Sequence, residues 1–298
     1  VILKSRTQRV IIEHIPAATF YTENKRKREN HPAATRNKTR IVQGKKMISV
    51  KDKVVIVTGA ASGLGEADAR MLAAEAATVI MTDINTDAGE RIAKEIGATF
   101  FEQDVSSESR WADLMRLVEN DFGRLDGLVN NSGIAVIADI ESTTTEQWRR
   151  TMSIHLDGTF WGCQSAIELM KKSDGGSIIN MSSTAALVGI PAYLAYSAAK
   201  GGIRAMTKSI AVHCKQQKLG IRCNSIHPGS ISTPMVHTAV KTLAGIDMTA
   251  LPDVEQGRKD MGIGEPDDIA HMVTYLISDA SKHVNGTEMV IDNADTVV

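Results

Sequence analysis

A phenol and an ammonium stand four residues apart in Tyr196-Ser197-Ala198-Ala199-Lys200. On a helix that spacing places both on one face. A nearby cation stabilises phenolate and lowers a tyrosine pKa from its ordinary ~10, which makes the group usable as an acid or base near neutrality. Ser183 comes thirteen residues earlier, just past an apolar run at 177–180. In an open parallel sheet, ligands bind outside the carboxyl ends of strands, and Ser183 falls at such an end. Tyr-x-x-x-Lys alone occurs often as a surface pair, so the argument needs the rest of the chain.

A second constellation is built for a phosphate. The run Val54–Val57 leads directly into Thr58-Gly59-Ala60-Ala61-Ser62-Gly63-Leu64-Gly65, which opens a helix. Glycines there let backbone approach a ligand, and a helix N-terminus offers unpaired N–H groups and a positive dipole end to a pyrophosphate. Asp83, 18 residues past Gly65, ends the next strand-like run. A carboxylate at that point accepts hydrogen bonds from an adenosine ribose and repels a 2′-phosphate. No Lys or Arg lies between Gly59 and Gly65 to offset one. The cofactor expected is NAD(H) rather than NADP(H).

These residues need a frame to hold them. Short apolar runs at 54–57, 78–82, 99–101, 127–129, 177–180, 221–226 and 288–291 alternate with amphipathic stretches at 63–76, 87–96, 108–122, 146–172, 195–217 and 267–276. Strands apolar on both faces and separated by helices mean a parallel sheet covered on both sides. The fold class expected is therefore α/β: a single doubly wound Rossmann domain over 47–298, with about seven strands flanked by helices. Residues 235–262 lack a firm period and read as a loop or loose helices, the usual sign of a lid or binding loop.

Read in order, the glycine loop, Asp83, Asn130-Asn131-Ser132-Gly133, Ser183, Tyr196, Lys200 and Pro228-Gly229-Ser230-Ile231-Ser232-Thr233-Pro234 resemble the short-chain dehydrogenase/reductase family. The likeness covers roughly Val50 to the C-terminus. Asp104-Val105-Ser106-Ser107-Glu108, Gly162-Cys163-Gln164, Asn224-Ser225-Ile226-His227-Pro228 and the ending Asp292-Asn293 are most similar to bacterial 3β/17β-hydroxysteroid and cyclic-alcohol dehydrogenases. The resemblance implies Tyr196 as general acid/base, Ser183 as the group that orients and polarises the substrate oxygen, and Lys200 as a ribose ligand that lowers the tyrosine pKa. It implies cofactor contacts from Thr58, Gly59, Ser62, Gly63, Leu64 and Gly65, from Asp83 and Ile84, and from Asp104 and Val105 at the adenine. Further contacts are implied for Asn130, Asn131 and Gly133, and for Pro228, Gly229, Ile231 and Thr233 near the nicotinamide. His155 occupies the place of a family asparagine that holds a water in the proton path from lysine to solvent. Imidazole also donates and accepts, so His155 is a candidate for that relay. Ser132 replaces the usual alanine. Ala76 stands where a glycine often ends the first helix, at a cost of about 1 kcal/mol if the left-handed conformation is kept. In the family, the helices at 146–172 and 195–217 pack subunits together, which implies a homo-oligomer, dimer or tetramer.

Composition excludes other classes. Residues 1–46 hold 12 Lys and Arg against 3 Asp and Glu, whereas the remainder holds 22 against 32. The acidic remainder argues against nucleic acid as its ligand. The basic segment admits three readings: a tail outside the fold, an organelle-targeting peptide, or a contact for nucleic acid or a nuclear importer through Lys25-Arg26-Lys27-Arg28. The first is adopted. No apolar stretch nears ~18 residues, so no membrane span is expected, and no apolar core follows the early positive charges as a secretory signal would require. Three irregularly spaced cysteines point to a reducing, cytoplasmic setting. His213, Cys214 and Cys223 lack metal-ligand spacing, so no metal is expected. The expected activity is NAD-dependent hydride transfer between nicotinamide and a hydroxysteroid or alicyclic secondary alcohol or ketone. The alternatives are a 3-oxoacyl-thioester reductase and a non-catalytic dinucleotide-binding regulator.

Overall fold

The computed structural model describes residues 48–297. The basic segment 1–46 lies outside them.

Strand β1 (Val54–Thr58) is buried on both faces. Its alternation sends Val55 and Val57 into one apolar layer and Val54 and Ile56 into the other. The same logic repeats in β2 (Thr78–Asp83), β3 (Thr99–Glu102), β4 (Gly127–Asn130), β5 (Gly176–Met181), β6 (Ile221–Pro228) and β7 (Glu288–Ile291). All pair in parallel, in the order β3-β2-β1-β4-β5-β6-β7. The helices are α1 (Gly63–Ala74), α2 (Thr86–Ile96), α3 (Glu108–Phe122), α4 (Thr145–Met152), α5 (Gly158–Met170), α6 (Leu194–Gln216), α7 (Pro234–Ala244), α8 (Val254–Asp260) and α9 (Pro266–Ile277). Leu72 of α1, Ile92 of α2 and Val273 of α9 fill one side of the sheet; Trp111 and Leu114 of α3, Ala166 of α5 and Cys214 of α6 fill the other. The order reverses between β1 and β4, and the crevice beyond their carboxyl ends is where such a sheet takes a ligand.

Element boundaries follow local chemistry. Asn85 caps α2 by accepting from the Ala88 N–H at 3.2 Å, and Gly97 ends it at φ +70°. Ala76, just past α1, takes φ +63° without being glycine. One expectation changes. The helix expected over 146–172 is interrupted by a π-helical turn, Ser153–Asp157, a form that occurs mostly as single turns inserted in α-helices and frequently at functional sites. Residues 235–262, expected as a loop or loose helices, take the second form: Thr233 caps α7 with Pro234 in its first turn, and α8 follows a short 3₁₀ turn at Met248–Ala250. Among the described residues no helix is long and apolar enough to cross a membrane, and none of the cysteines is in a disulfide.

Candidate active site

The glycine loop is fixed from behind. Thr58 Oγ1 accepts from the N–H groups of Asn131 at 3.0 Å and Ser132 at 3.1 Å, while Asn131 Nδ2 donates to the Thr58 carbonyl at 3.0 Å. A Cβ on Gly65 would lie 2.2 Å from the Gly59 carbonyl oxygen, so the loop closes only with glycine there. Ser62 is the N-cap of α1, yet its side chain makes no capping bond, which leaves first-turn N–H groups to a ligand. Asp83 accepts from the N–H groups of Ala61 at 3.0 Å and Asn85 at 2.9 Å, one per oxygen. A carboxylate has about four acceptor sites, so each oxygen keeps one for ribose hydroxyls. A dinucleotide therefore fits these residues: an uncapped helix end for its pyrophosphate and an anchored carboxylate beside it.

The reactive groups gather at the other end of the same cavity, which encloses about 320 Å³. Tyr196 and Lys200 share a face of α6, with Lys200 Nζ 5.5 Å from the phenol ring centre. Nζ donates to the Met181 carbonyl at 2.6 Å, and Ser182 Oγ donates to the Lys200 carbonyl at 3.0 Å, which ties α6 to the end of β5. Lys200 is 3% exposed, and burial brings its pKa down to about 7. The expectation that Lys200 lowers the tyrosine pKa needs correction for the protein as it stands. Burial pushes Tyr196 up to about 12; the Ser183 hydroxyl pulls the other way and Tyr193 adds a further rise. The physical reason is that burial of the phenol is the larger effect, while Lys200 Nζ is turned to the Met181 carbonyl.

Ser183 caps the turn Thr184–Ala186, with Oγ accepting from the Ala185 N–H at 3.1 Å. Its carbonyl sits 3.2 Å from His227 Nδ1, and His227 Nε2 is 2.8 Å from Ser225 Oγ. His155 is carried by the π turn and stands edge-on to Tyr196, ring centres 5.4 Å apart. Its Nε2 is 2.8 Å from the Ile134 carbonyl and 3.0 Å from the Ile134 N–H, while Nδ1 is buried without a partner. Burial, with the Lys200 charge adding to it, holds its pKa at about 3, so the imidazole is neutral at physiological pH.

A family model described as enoyl-(acyl carrier protein) reductase matches residues 59–293. The chain is 42% identical over 255 residues to an NADP-dependent (R)-specific alcohol dehydrogenase of Lentilactobacillus kefiri, covering 83% of this chain and 98% of that protein. It is 39% identical over 247 residues to a 3-beta-hydroxysteroid dehydrogenase of Comamonas testosteroni, covering 82% and 96%. The chain belongs to the short-chain dehydrogenase/reductase family. A cyclopentanol dehydrogenase of Comamonas sp. (strain NCIMB 9872) is 36% identical over 252 residues, covering 83% of this chain and 98% of that protein. Among solved structures, levodione reductase superposes with a TM-score of 0.75 at 31% identity, covering 83% of this chain and 99% of that one.

In this short-chain dehydrogenase/reductase, Ser183, Tyr196, Lys200 and His155 line one cavity together. Gly59, Ser62, Gly63 and Leu64 join them from the loop, and Asp83, Ile84, Asp104 and Val105 from the ends of β2 and β3. Asn131 and Gly133 lie past β4, and Pro228, Gly229, Ile231 and Thr233 at and beyond the end of β6. Thr58, Gly65 and Asn130 do not line it. Thr58 and Gly65 shape the loop from beneath, and Asn130 Nδ2 instead donates to Asn180 Oδ1 at 2.9 Å in the sheet interior. Sequence reasoning missed Ile134, Arg150, Ile154, Met235 and Val236, which also line the cavity. Arg150 and Ile154 belong to a stretch read as one regular helix, whose phase the π turn alters. Tyr193 lies 5.8 Å from Tyr196, ring to ring.

Proposed function

We propose that this chain interconverts a secondary alcohol and its ketone with NAD(H) as the hydride partner, the substrate being a hydroxysteroid or alicyclic compound. The observation that carries the reading is the convergence of Ser183, Tyr196 and Lys200 on one cavity with the glycine loop and Asp83. A nicotinamide held there supplies the hydride acceptor in oxidation and the donor in reduction. Tyr196, protonated at neutral pH, gives its proton to a carbonyl oxygen and takes one back from a carbinol. Ser183 holds that oxygen by its hydroxyl. Lys200 sits where its ammonium steadies phenolate as it forms. His155, neutral and held by the Ile134 backbone, would hold a water on the proton path from Lys200 to solvent with its unpartnered nitrogen.

Ile134, Ile154, Met235 and Val236 in the cavity lining support a largely apolar substrate, with Arg150 as a cation in the same lining. Asp83 supports NAD(H), because its charge faces the point where a 2′-phosphate would project. The similarity to an NADP-dependent alcohol dehydrogenase makes this the point to test with both cofactors. The decisive variant is Tyr196→Phe. Oxidation of cyclohexanols and hydroxysteroids, followed by NAD⁺ reduction, is expected to fall at least a thousandfold while NADH still binds. Undiminished turnover removes the mechanism.

A further inference from the structure

A second cavity, of about 570 Å³, lies at the amino ends of β1, β4, β5 and β6, at the opposite end of the strands from the reactive cluster. Two glycine turns make its floor. Gly175 has φ +99° and Gly220 φ +70°, and a Cβ on Gly175 would lie 2.3 Å from the Gly220 carbonyl oxygen. The crossing is therefore closed to side chains, and the long cationic ones around it keep the space between them.

Six cations line this cavity, Lys53, Arg124, Lys215, Lys218, Arg222 and Lys282, against three carboxylates. Two of the carboxylates are already engaged. Asp126 takes both Arg124 Nη2 at 2.5 Å and Nε at 2.9 Å and also accepts the Val54 N–H at 2.9 Å; Asp279 meets Lys53 at 3.0 Å. The third, Asp174, faces Arg124 electrostatically. Among the described residues, Lys215, Lys218 and Lys282 make no ion pair. Arg222 stands on β6 beside Ser177, and its Nη2 donates to the Leu276 carbonyl at 2.8 Å and the Ser278 carbonyl at 3.3 Å. That grip fixes the guanidinium plane. Its Nη1 is buried and makes no hydrogen bond, so the lysines, and not this nitrogen, present their charge to the cavity.

We propose that this cavity binds the polyphosphate chain of a small molecule. Lysines meet phosphoryl groups as point charges. Three of them, Lys215, Lys218 and Lys282, line this one cavity without an ion pair, so a chain of phosphoryl groups offers several charges to them where a single phosphate does not. The shared ligand chemistry is the polyphosphate, carried by inorganic polyphosphate or by a nucleoside triphosphate.

The test is calorimetric titration of the full chain with inorganic tripolyphosphate, at saturating NADH so that the dinucleotide cavity is filled. One saturable site is expected. In Lys215→Glu/Lys218→Glu its affinity falls at least tenfold, with NADH affinity and the unfolding midpoint of the anion-free protein unchanged. Tighter binding of a nucleoside triphosphate assigns the site to nucleotides, and equal or weaker binding assigns it to the phosphate chain alone; both support it. No saturable binding, loss of binding on saturation with NADH, or wild-type affinity in the double variant overturns the proposal. In the last case the basic 1–46 segment or another surface takes the anion. The readout is binding and not turnover, so its outcome is separate from that of the dehydrogenase reading.

Discussion

Tyr196 and Lys200 shift in opposite directions, the phenol up to about 12 and the ammonium down to about 7, and both shifts have burial as their first cause. Their spacing was legible in the sequence because four residues on a helix fix a shared face. Their depth was not, because spacing says nothing of what covers that face, and depth sets the sign of the tyrosine shift. His155 shows the same limit. Its place in the chain marks it as a departure, but only the structure shows an imidazole sealed enough to stay neutral. Asp83 was legible as a carboxylate ending β2 beside the glycine loop, but its bonds to the Ala61 and Asn85 amides were not, since they depend on the loop's path. Asp83→Asn removes the charge and keeps one acceptor oxygen, enough for one of the Ala61 and Asn85 amides. The ratio of kcat/KM for NAD⁺ over NADP⁺ is expected to drop at least tenfold, the size of a charge-assisted hydrogen bond of about 1.5–3 kcal/mol. Steady-state kinetics with both cofactors check this, and an unchanged ratio assigns the preference to another group.

Helix α1 carries two costs unrelated to the chemistry at its N-terminus. Ala76, just beyond its end and exposed, holds φ +63°, a conformation disfavoured by the Cβ that glycine lacks. Ala76→Gly is expected to stabilise the fold by about 1 kcal/mol, read from urea unfolding midpoints. Asp68 lies fully buried on α1 with neither carboxylate oxygen partnered, and burial raises its pKa well above the usual range. The unfolded chain releases this proton near 3.8 while the folded chain retains it. The penalty is therefore absent below that pH and grows as pH rises toward the folded pKa. Asp68→Asn is expected to match wild-type stability more closely at pH 4 and to exceed it clearly at pH 7.5, read from urea unfolding at the two pH values. A constant difference across that window would place the effect in packing instead. The interior strands β1, β2, β4, β5 and β6 were legible because burial on both faces leaves continuous apolar runs, whereas the edge strands β3 and β7 are only partly buried. The turn at Ser153–Asp157 left no such mark, and α7 and α8 were obscured by Gly, Thr and Met without a firm period.

At the scale of the molecule, parallel strands sort ligands by end. Carboxyl ends hold the dinucleotide loop and the Tyr196 cluster; amino ends hold the cationic cavity. The first was readable in advance because its residues follow strands in a known order. The second was not, since its cations are scattered from Lys53 to Lys282 and meet only when the sheet assembles. The matched range begins at residue 59, well after the basic segment, so a chain lacking residues 1–46 is expected to keep its NADH affinity and unfolding midpoint within error. Fluorescence titration and thermal denaturation of the shortened protein check this. The loosely wound turn under His155 carries one more consequence. It amounts to a spare residue stored inside a helix, and each residue advances a regular helix by about 100°. Excising one position between 153 and 157 would let the coil tighten without breaking it, yet would swing the imidazole off the phenol. Chain length there sets where His155 stands, and a single-codon deletion is expected to move it away from Tyr196.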